Sequence, residues 1–196
     1  IGIRDRKGTP LSPQFDQIFS WGEQILHGNP EAIYQFGIML IENDTYPEDK
    51  ILGCRWLFKA VSKNHAQARY RLARQLLLGN GVLQVPDLGY GYLDQAIRSD
   101  NVPEAFIFAA DMAERGDLLQ KDLMQAYAAL LRARRLGGNV EARELKRLRT
   151  QLSETEIKVA QKYGEEEESL VHFSLTDEAK RLNEPVSASY LCRFKP

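Results

Sequence analysis

The chain has 196 residues, of which 43% are hydrophobic, and its formal net charge is −1 at pH 7. This composition fits one globular domain of about 150 residues with flanking segments, and the near-neutral charge gives no general attraction to nucleic acid or membranes. No apolar run approaches the roughly 20 residues of a membrane-spanning helix. Because the chain begins at Ile1 and not at methionine, we expect an upstream piece, whether a signal peptide, an anchor, another domain or the remainder of a longer sequence.

The N-terminal part divides into a predicted extension, residues 1–14, and a predicted helix within residues 15–29. This helix is apolar enough to cover one end of the helices that follow it, as a half-unit. The residues that we expect it to bury are Phe15, Ile18, Phe19, Ile25 and Leu26.

A short phrase that ends in alanine then returns four times: GNPEA at 28–32, HAQA at 65–68, NVPEA at 101–105 and GNVEA at 138–142. The closing alanines are 36, 37 and 37 residues apart. Each alanine opens a run in which apolar or small residues fall on one face of an α-helix. A period in this range indicates stacked structural repeats.

Each repeat is predicted to be a helix-turn-helix unit, whose second helix ends in WLFKA, YLDQA or ALLRA. One column of first-helix residues is small, and we expect the second helix to cross there at close range: Gly37, Ala73 and Ala110. Three aspartates precede the second helices and are predicted to cap them: Asp49, Asp87 and Asp122.

The repeats predict an all-α fold, an α/α superhelical solenoid in which each unit buries its apolar face on the next. Complete units are predicted at about 31–66, 67–103 and 104–140. The solenoid with its end pieces is predicted to span residues 15–164, followed by an acidic linker and tail, residues 165–196.

The C-terminal end of the predicted solenoid has two parts. A lone first helix is expected to bury Leu145, Leu148 and Leu152. After it, Ser153 and Glu156 form a capping box that starts a capping helix, with Gly164 as the predicted C′ residue at its end.

The pattern resembles the Sel-1-like repeat family, a relative of the tetratricopeptide repeat. The best copies of the family pattern are WLFKA with the preceding Asp49, and ARYRLARQLLLGNGV with its Gly-x-Gly-Val loop. The other two loops depart from that pattern and carry Asn43-Asp44 and Gly116-Asp117. The resemblance covers about residues 15–164.

This resemblance implies a scaffold or adaptor for protein–protein interaction, commonly in bacteria. We therefore expect a non-catalytic module that binds a peptide or partner protein, in the periplasm or cell envelope in preference to the cytoplasm. One alternative is a structural or regulatory subunit of a cell-envelope assembly. Another is a hydrolase related to cysteine-rich repeat proteins that are linked to β-lactam binding, but the chain has only Cys54 and Cys192 and no Ser-x-x-Lys motif.

By analogy with tetratricopeptide arrays, the first helices line a concave groove that holds the partner. The outward residues predicted to bind it are Tyr34, Ile38, Tyr70, Arg74, Ile107 and Asp111. A third outward column contains Glu31, Gln67 and Glu104. In the alternative interpretation, Tyr34 and Tyr70 only fill the seams between repeats. The partner's identity and the oligomeric state are left open.

No catalytic, cofactor-binding or metal site is predicted. The three histidines, His27, His65 and His172, have no helical metal-ligand spacing, and the acidic segment 42–49 lacks the glycine and final glutamate of a calcium loop. Cys54 is expected to be buried, with a Cys54–Cys192 bridge as the alternative.

Residues 132–149 carry seven basic side chains. We expect a solvated face, with docking of an acidic partner as the alternative; nucleic acid is disfavoured because no aromatic residues interleave for stacking.

In the tail, Ser174 or Thr176 is predicted to cap a short helix. The apolar residues expected to dock on the solenoid or on a partner are Leu170, Val171, Phe173 and Leu175.

Overall fold

A computed structural model describes residues 21–42, 47–80, 82–165 and 171–182. Residues 21–26 are helical and are called α1. The helices that follow are α2 (Pro30–Glu42), α3 (Pro47–Val61), α4 (Ala66–Leu78), α5 (Pro86–Arg98), α6 (Pro103–Arg115), α7 (Leu123–Arg135), α8 (Ala142–Arg149), α9 (Glu154–Glu165) and α10 (Asp177–Arg181). No strand forms in these ranges, where the only β-pairing is an isolated bridge between Leu119 and Leu175. The all-α prediction is confirmed.

The helices pair into three hairpins, α2 with α3, α4 with α5 and α6 with α7, and each hairpin stacks on the next through α3–α4 and α5–α6 contacts. This is the predicted order and period. Among the described helices, none is both long and apolar enough to cross a membrane.

The predicted close crossing of helices is seen most clearly in the first hairpin. A Cβ placed on Gly53 would lie 2.6 Å from the carbonyl oxygen of Gly37, so the backbones of α2 and α3 are in direct contact. In the second hairpin, a Cβ on Gly89 would lie 3.2 Å from the carbonyl oxygen of Ala73. The column of Gly37 was predicted, whereas its partner column on the second helices was not.

Only one of the three predicted aspartate caps forms as expected. Asp122 is the N-cap residue of α7 and accepts a hydrogen bond from the backbone N–H of Gln125 at 2.9 Å. The predicted position is wrong for Asp87 and Asp49, which lie inside the first turns of α5 and α3, where their charge still meets the positive helix ends. These helices begin at Pro86 and Pro47, and proline is favoured at the first helical position.

The C-terminal end of the array follows the prediction except at Leu152 and Gly164. Leu145 and Leu148 of α8 are buried, whereas Leu152 lies beyond the end of α8 and is half-buried. The capping box forms, since the N–H of Ser153 donates to Glu156 Oε2 at 2.8 Å and the N–H of Glu156 donates to Ser153 Oγ at 3.3 Å. Gly164, however, does not end the helix: α9 continues to Glu165, and a Cβ on Gly164 would lie 2.7 Å from the Cβ of Leu131 on α7. Its smallness serves helix packing.

At the other end, α1 agrees with the predicted half-unit only in part. Ile25 packs against the core, whereas Leu26, which was predicted to be buried, is 87% exposed. The other apolar residues of that prediction, Phe15, Ile18 and Phe19, lie outside the described residues, as do residues 43–46 of the acidic segment.

The described part of the tail, residues 171–182, packs on the array. Val171, Phe173 and Leu175 join the buried core of the second and third hairpins. Thr176 caps α10, because its Oγ1 accepts a hydrogen bond from the N–H of Ala179 at 3.1 Å. Docking on the solenoid, one of the two predicted outcomes, is therefore what the structure shows for these residues; Leu170 and Cys192 lie outside the described ranges.

Candidate protein-binding face

The first helices α2, α4 and α6 form the face on which partner-binding residues were predicted. We call it the first-helix face. Two of the six predicted residues have little surface there, since Tyr34 is 9% and Tyr70 8% exposed. The Tyr34 ring stacks on His65, with 4.6 Å between centroids, and the Tyr70 ring meets Phe108 edge-on at 6.2 Å. Both rings therefore lie in seams between units, as in the alternative interpretation.

Burial also changes the pKa of Tyr70. Desolvation raises the pKa of its hydroxyl, and the guanidinium of Arg74 opposes that shift. The Tyr70 hydroxyl therefore stays neutral, and its ring packs beneath the first-helix face with little contact with solvent.

The other four predicted residues keep more surface. Arg74 is exposed and its guanidinium lies 5.9 Å from the ring centre of Phe108. Asp111 is exposed and accepts a hydrogen bond from Arg115 at 2.6 Å. Ile38 and Ile107 are half-buried. The face thus presents charges of opposite sign together with some aliphatic surface.

The third column ties neighbouring units together. Gln67 donates a hydrogen bond to Glu104 at 3.1 Å, and Glu31 lies 2.8 Å from Nε2 of His65. The pKa of Glu31 is lowered by hydrogen bonds from Gln35, the larger effect, and from His65. These polar groups are outward, as predicted, but part of their bonding capacity is used between repeats.

His65 has a structural role at the start of α4. Its Nδ1 accepts the N–H of Ala68 at 3.1 Å and so caps α4. In the neutral ring the proton is therefore on Nε2, which faces Glu31. The position of His65 immediately before a helix start was a sequence signal for this cap, but histidine is not among the usual N-cap residues.

A small cavity of about 70 Å³ opens at the C-terminal end of this face. It is lined by Ile107, Ala110, Asp111, Glu114, Leu130, Glu144 and Arg147. Arg147 of α8 makes an ion pair with both carboxylate oxygens of Glu114 on α6, one of them at 2.7 Å. That pair lowers the pKa of Glu114 and fixes α8 against α6.

The basic stretch 132–149 separates into three environments. Arg132 is 7% exposed and donates to the side-chain oxygen of Asn101 at 3.3 Å. Arg143 and Arg147 form ion pairs with Glu141 and Glu114. The exposed remainder is Arg134, Arg135, Lys146 and Arg149.

No group of three His, Cys, Asp or Glu side chains in the described ranges is arranged to hold a metal ion. Cys54 is fully buried, as expected; its proposed partner Cys192 lies outside those ranges.

A second surface, on the other helices of the hairpins, is already filled by the chain itself. Residues 171–176, which we call the strap, run in extended form over α5, α7 and the loop between α6 and α7. The hydroxyl of Tyr90 donates to the carbonyl oxygen of Phe173. Beside the strap and α10 lies a cavity of about 500 Å³, lined by Leu77, Leu78, Gln84, Gly116, Asp117, Leu118, Glu178, Ala179 and Leu182.

No protein-family model matches the sequence, and no curated protein does either. Its likeness is to solved structures. One is a protective antigen present in uropathogenic Escherichia coli strains that displays an SLR (Sel1-like repeat) fold, with a TM-score of 0.69 over 94% of this chain and 17% sequence identity. The chain adopts the Sel1-like repeat fold. It spans 39% of that antigen's length.

A second similar structure is a Sel1 repeat protein from Oxalobacter formigenes, which is 21% identical over 62% of this chain and 55% of its own, with a TM-score of 0.43. The likeness to the Escherichia coli antigen confirms the resemblance to the Sel-1-like repeat at the level of the fold.

Proposed function

We propose that the chain is a non-catalytic binding module that holds a peptide or an extended segment of a partner protein on the first-helix face. Solenoids of this kind present long continuous surfaces suited to extended partners. The observation that carries the proposal is the exposed guanidinium of Arg74 over the buried ring of Phe108, which in turn meets the ring of Tyr70 edge-on. Arginine over aromatic rings is a frequent centre of binding energy in protein interfaces.

The charges of the face favour a partner of mixed character. Arg74 on α4 attracts an acidic group, and Asp111 on α6 attracts a basic one. Ile107 is half-buried, lies one helical turn before Asp111 on α6 and offers aliphatic contact. The two tyrosines, Tyr34 and Tyr70, hold the seams beneath this surface, so their contribution is to its shape.

The test uses a photo-cross-linking amino acid at position 107 of the full chain in cells, with position 52 on α3 as the control. Leu52 is also exposed but belongs to a second helix. Mass spectrometry of a product specific to position 107 names the partner and its contacting segment. Equal products at both positions would argue against this face.

The captured segment is then titrated with the purified wild type and with Arg74→Glu. We expect a loss of at least tenfold in affinity for Arg74→Glu, since the reversal removes one favourable contact and adds a repulsive one. Arg55→Glu makes the same charge change at an exposed position of α3 and should bind as the wild type does. Unchanged affinity for Arg74→Glu would overturn the assignment of the face.

A further inference from the structure

The strap is bound by the array in the way that a peptide ligand is bound. Its side chains alternate in burial: Val171, Phe173 and Leu175 are 4%, 5% and 6% exposed, whereas His172 between them is exposed and Ser174 is half-buried. An extended chain places successive side chains on opposite sides. The cleft therefore receives every second residue and leaves the others facing outward.

The array also binds the strap's backbone. The N–H of Gln120 donates to the carbonyl oxygen of Ser174 at 2.8 Å, and the N–H of Thr176 donates to the carbonyl oxygen of Leu118 at 2.8 Å. These bonds make the antiparallel bridge across Leu119 and Leu175.

Two side chains of the array extend this recognition. The Tyr90 hydroxyl on α5 donates to the carbonyl oxygen of Phe173, and Gln125 on α7 accepts the N–H of His172 at 3.2 Å. Any extended segment offers the same backbone groups, so this part of the recognition does not depend on sequence. Backbone pairing combined with pockets for alternate side chains is an established mode of peptide recognition.

We propose that the cleft between α5, α7 and loop 118–120 is a second protein-binding site, which takes an extended segment of another protein in place of the strap. The fitting segment has large apolar residues at the positions of Val171, Phe173 and Leu175. The strap acts as a competitor in the same chain. This site uses different helices from the first-helix face, so the two proposals stand separately.

The chemistry of one outward position is also defined. Arg98 on α5 lies with Nη2 2.9 Å from Nδ1 of His172 and with Nε 2.6 Å from Asp94. A hydrogen-bond acceptor therefore fits at the position of His172, whereas a lysine there would face the guanidinium. The partner segment accordingly follows the order apolar, acceptor, aromatic, small polar, apolar.

The cavity next to the strap has room for further side chains of a partner segment. It holds about 500 Å³ between α10, the end of α4 and loop 118–120. Leu78 and Leu182 on its walls are both large and exposed. A partner segment with bulkier side chains after the third apolar position would cover these walls, which α10 leaves open.

The experiment uses a fluorescent synthetic peptide of residues 171–182 and the full-length protein. In the Phe173→Ala variant the strap loses its largest buried side chain, so the cleft becomes accessible to the peptide. Because a tethered segment has an effective concentration on the order of 1 mM, we expect the variant to bind the peptide at least about tenfold more tightly than the wild type. Equal affinities, or no binding to either protein, would contradict the proposal.

Matched variants locate the bound peptide. In the Phe173→Ala background, Tyr90→Phe removes one hydrogen bond to the ligand and should weaken binding about fivefold. Tyr92→Phe, on the same helix but in contact with Phe58, should leave it unchanged. If both substitutions act alike, the peptide is bound elsewhere and the proposal fails.

Acceptance of a foreign segment is tested with an unrelated peptide that keeps large apolar residues at the three positions and threonines between them. It should bind within about tenfold of the strap peptide, since much of the recognition is through the backbone. Failure of this peptide shows a cleft that accepts only its own strap. Concentration-dependent dimers of the wild type, formed by strap exchange, would assign the site to a second copy and also overturn the proposal.

A second measurement covers the case in which Phe173→Ala does not fold. A protease site is placed within residues 166–170, and the protein is cut after it has folded. We expect an excess of the peptide to displace the cleaved C-terminal piece, as seen by size-exclusion chromatography. Retention of that piece against excess peptide would show that the strap is a fixed part of the fold.

Discussion

The first and third hairpins bring their helices together in different ways. In the first, Gly37 faces Gly53 and the two backbones touch. In the third, alanines occupy the equivalent positions, Ala110 and Ala126, and both are buried. The repeat therefore requires only a small residue at the crossing, and glycine on both helices allows the closest approach.

The largest expected effect comes from breaking the glycine crossing. In Gly53→Ala, the new Cβ would lie 2.6 Å from the carbonyl oxygen of Gly37 and 3.0 Å from the backbone nitrogen of Ile41. Because neither atom belongs to a flexible side chain, we expect a loss of about 1–3 kcal/mol in the free energy of unfolding, measured by chemical denaturation. Gly91→Ala, where a Cβ meets nothing within 4 Å, is the control and should stabilise α5 by about 0.5–1 kcal/mol. A neutral result at Gly53 would mean that the helices separate easily.

The start of α7 offers the next effect. It has an aspartate cap where α3 and α5 begin with proline. Asp122→Ala should cost about 1 kcal/mol, because the N–H of Gln125 loses its acceptor. Asp122→Asn keeps an acceptor oxygen and should recover most of the loss in thermal unfolding. Equal losses for both substitutions would point to the charge of Asp122 in place of its hydrogen bond.

The alanine crossing gives a smaller effect of the same kind. Ala126→Gly leaves space at the crossing, so it tests whether the third hairpin can adopt the glycine geometry. We expect a net loss of about 0.5–1 kcal/mol from the helix preference of alanine over glycine. A gain in stability would show that closer approach outweighs that preference in this hairpin too.

The smallest effect concerns the ion pair between Glu114 and Arg147, which the third hairpin makes with α8. The pKa of Glu114 is lowered from 4.5, mainly by the hydrogen bond from Arg147. The ion pair therefore stabilises the folded protein above about pH 4.5. This stabilisation is lost as the pH falls through the lowered pKa that Glu114 has in the folded protein.

The matching measurement compares the melting temperatures of the wild type and Glu114→Gln across this range. At pH 6 we expect the wild type to be more stable than Glu114→Gln by no more than about 1 kcal/mol. This difference in stability should disappear near pH 3. An advantage that persists at pH 3 would have another origin than the charge of Glu114.

The sequence predicted the parts of the fold that depend on local signals. The interval between alanines gave the three hairpins, and the Ser153–Glu156 spacing gave the start of α9. The predictions were wrong where the structural role of a residue depends on its neighbours in the folded chain. Gly164 has the sequence context of a helix end, but packing against Leu131 gives it a place inside the helix.

The same reason limits the prediction of the candidate sites. Tyr34 and Tyr70 were placed on the correct helices, yet their rings turn into the seams because His65 and Phe108 lie there. The apolar pattern of Val171, Phe173 and Leu175 was visible, whereas the residues that bind the strap, such as Tyr90 and Gln125, lie 47 to 83 positions away in the sequence. Alternation indicates an extended ligand but does not identify its receptor.

The strap has a consequence for how this array can grow. Most solenoids lengthen by duplication of a unit, because each unit contacts only its neighbours. Here the strap contacts two consecutive units at once, through hydrogen bonds with Tyr90 on α5 and Gln125 on α7. A unit inserted behind α7 would carry the strap away from both residues, and residues 166–170, whose six Cα–Cα steps from Glu165 to Val171 extend to at most about 22 Å, would have to bridge the added distance. Otherwise the inserted unit would have to supply a new tyrosine and glutamine, so the strap limits the number of repeats at this end.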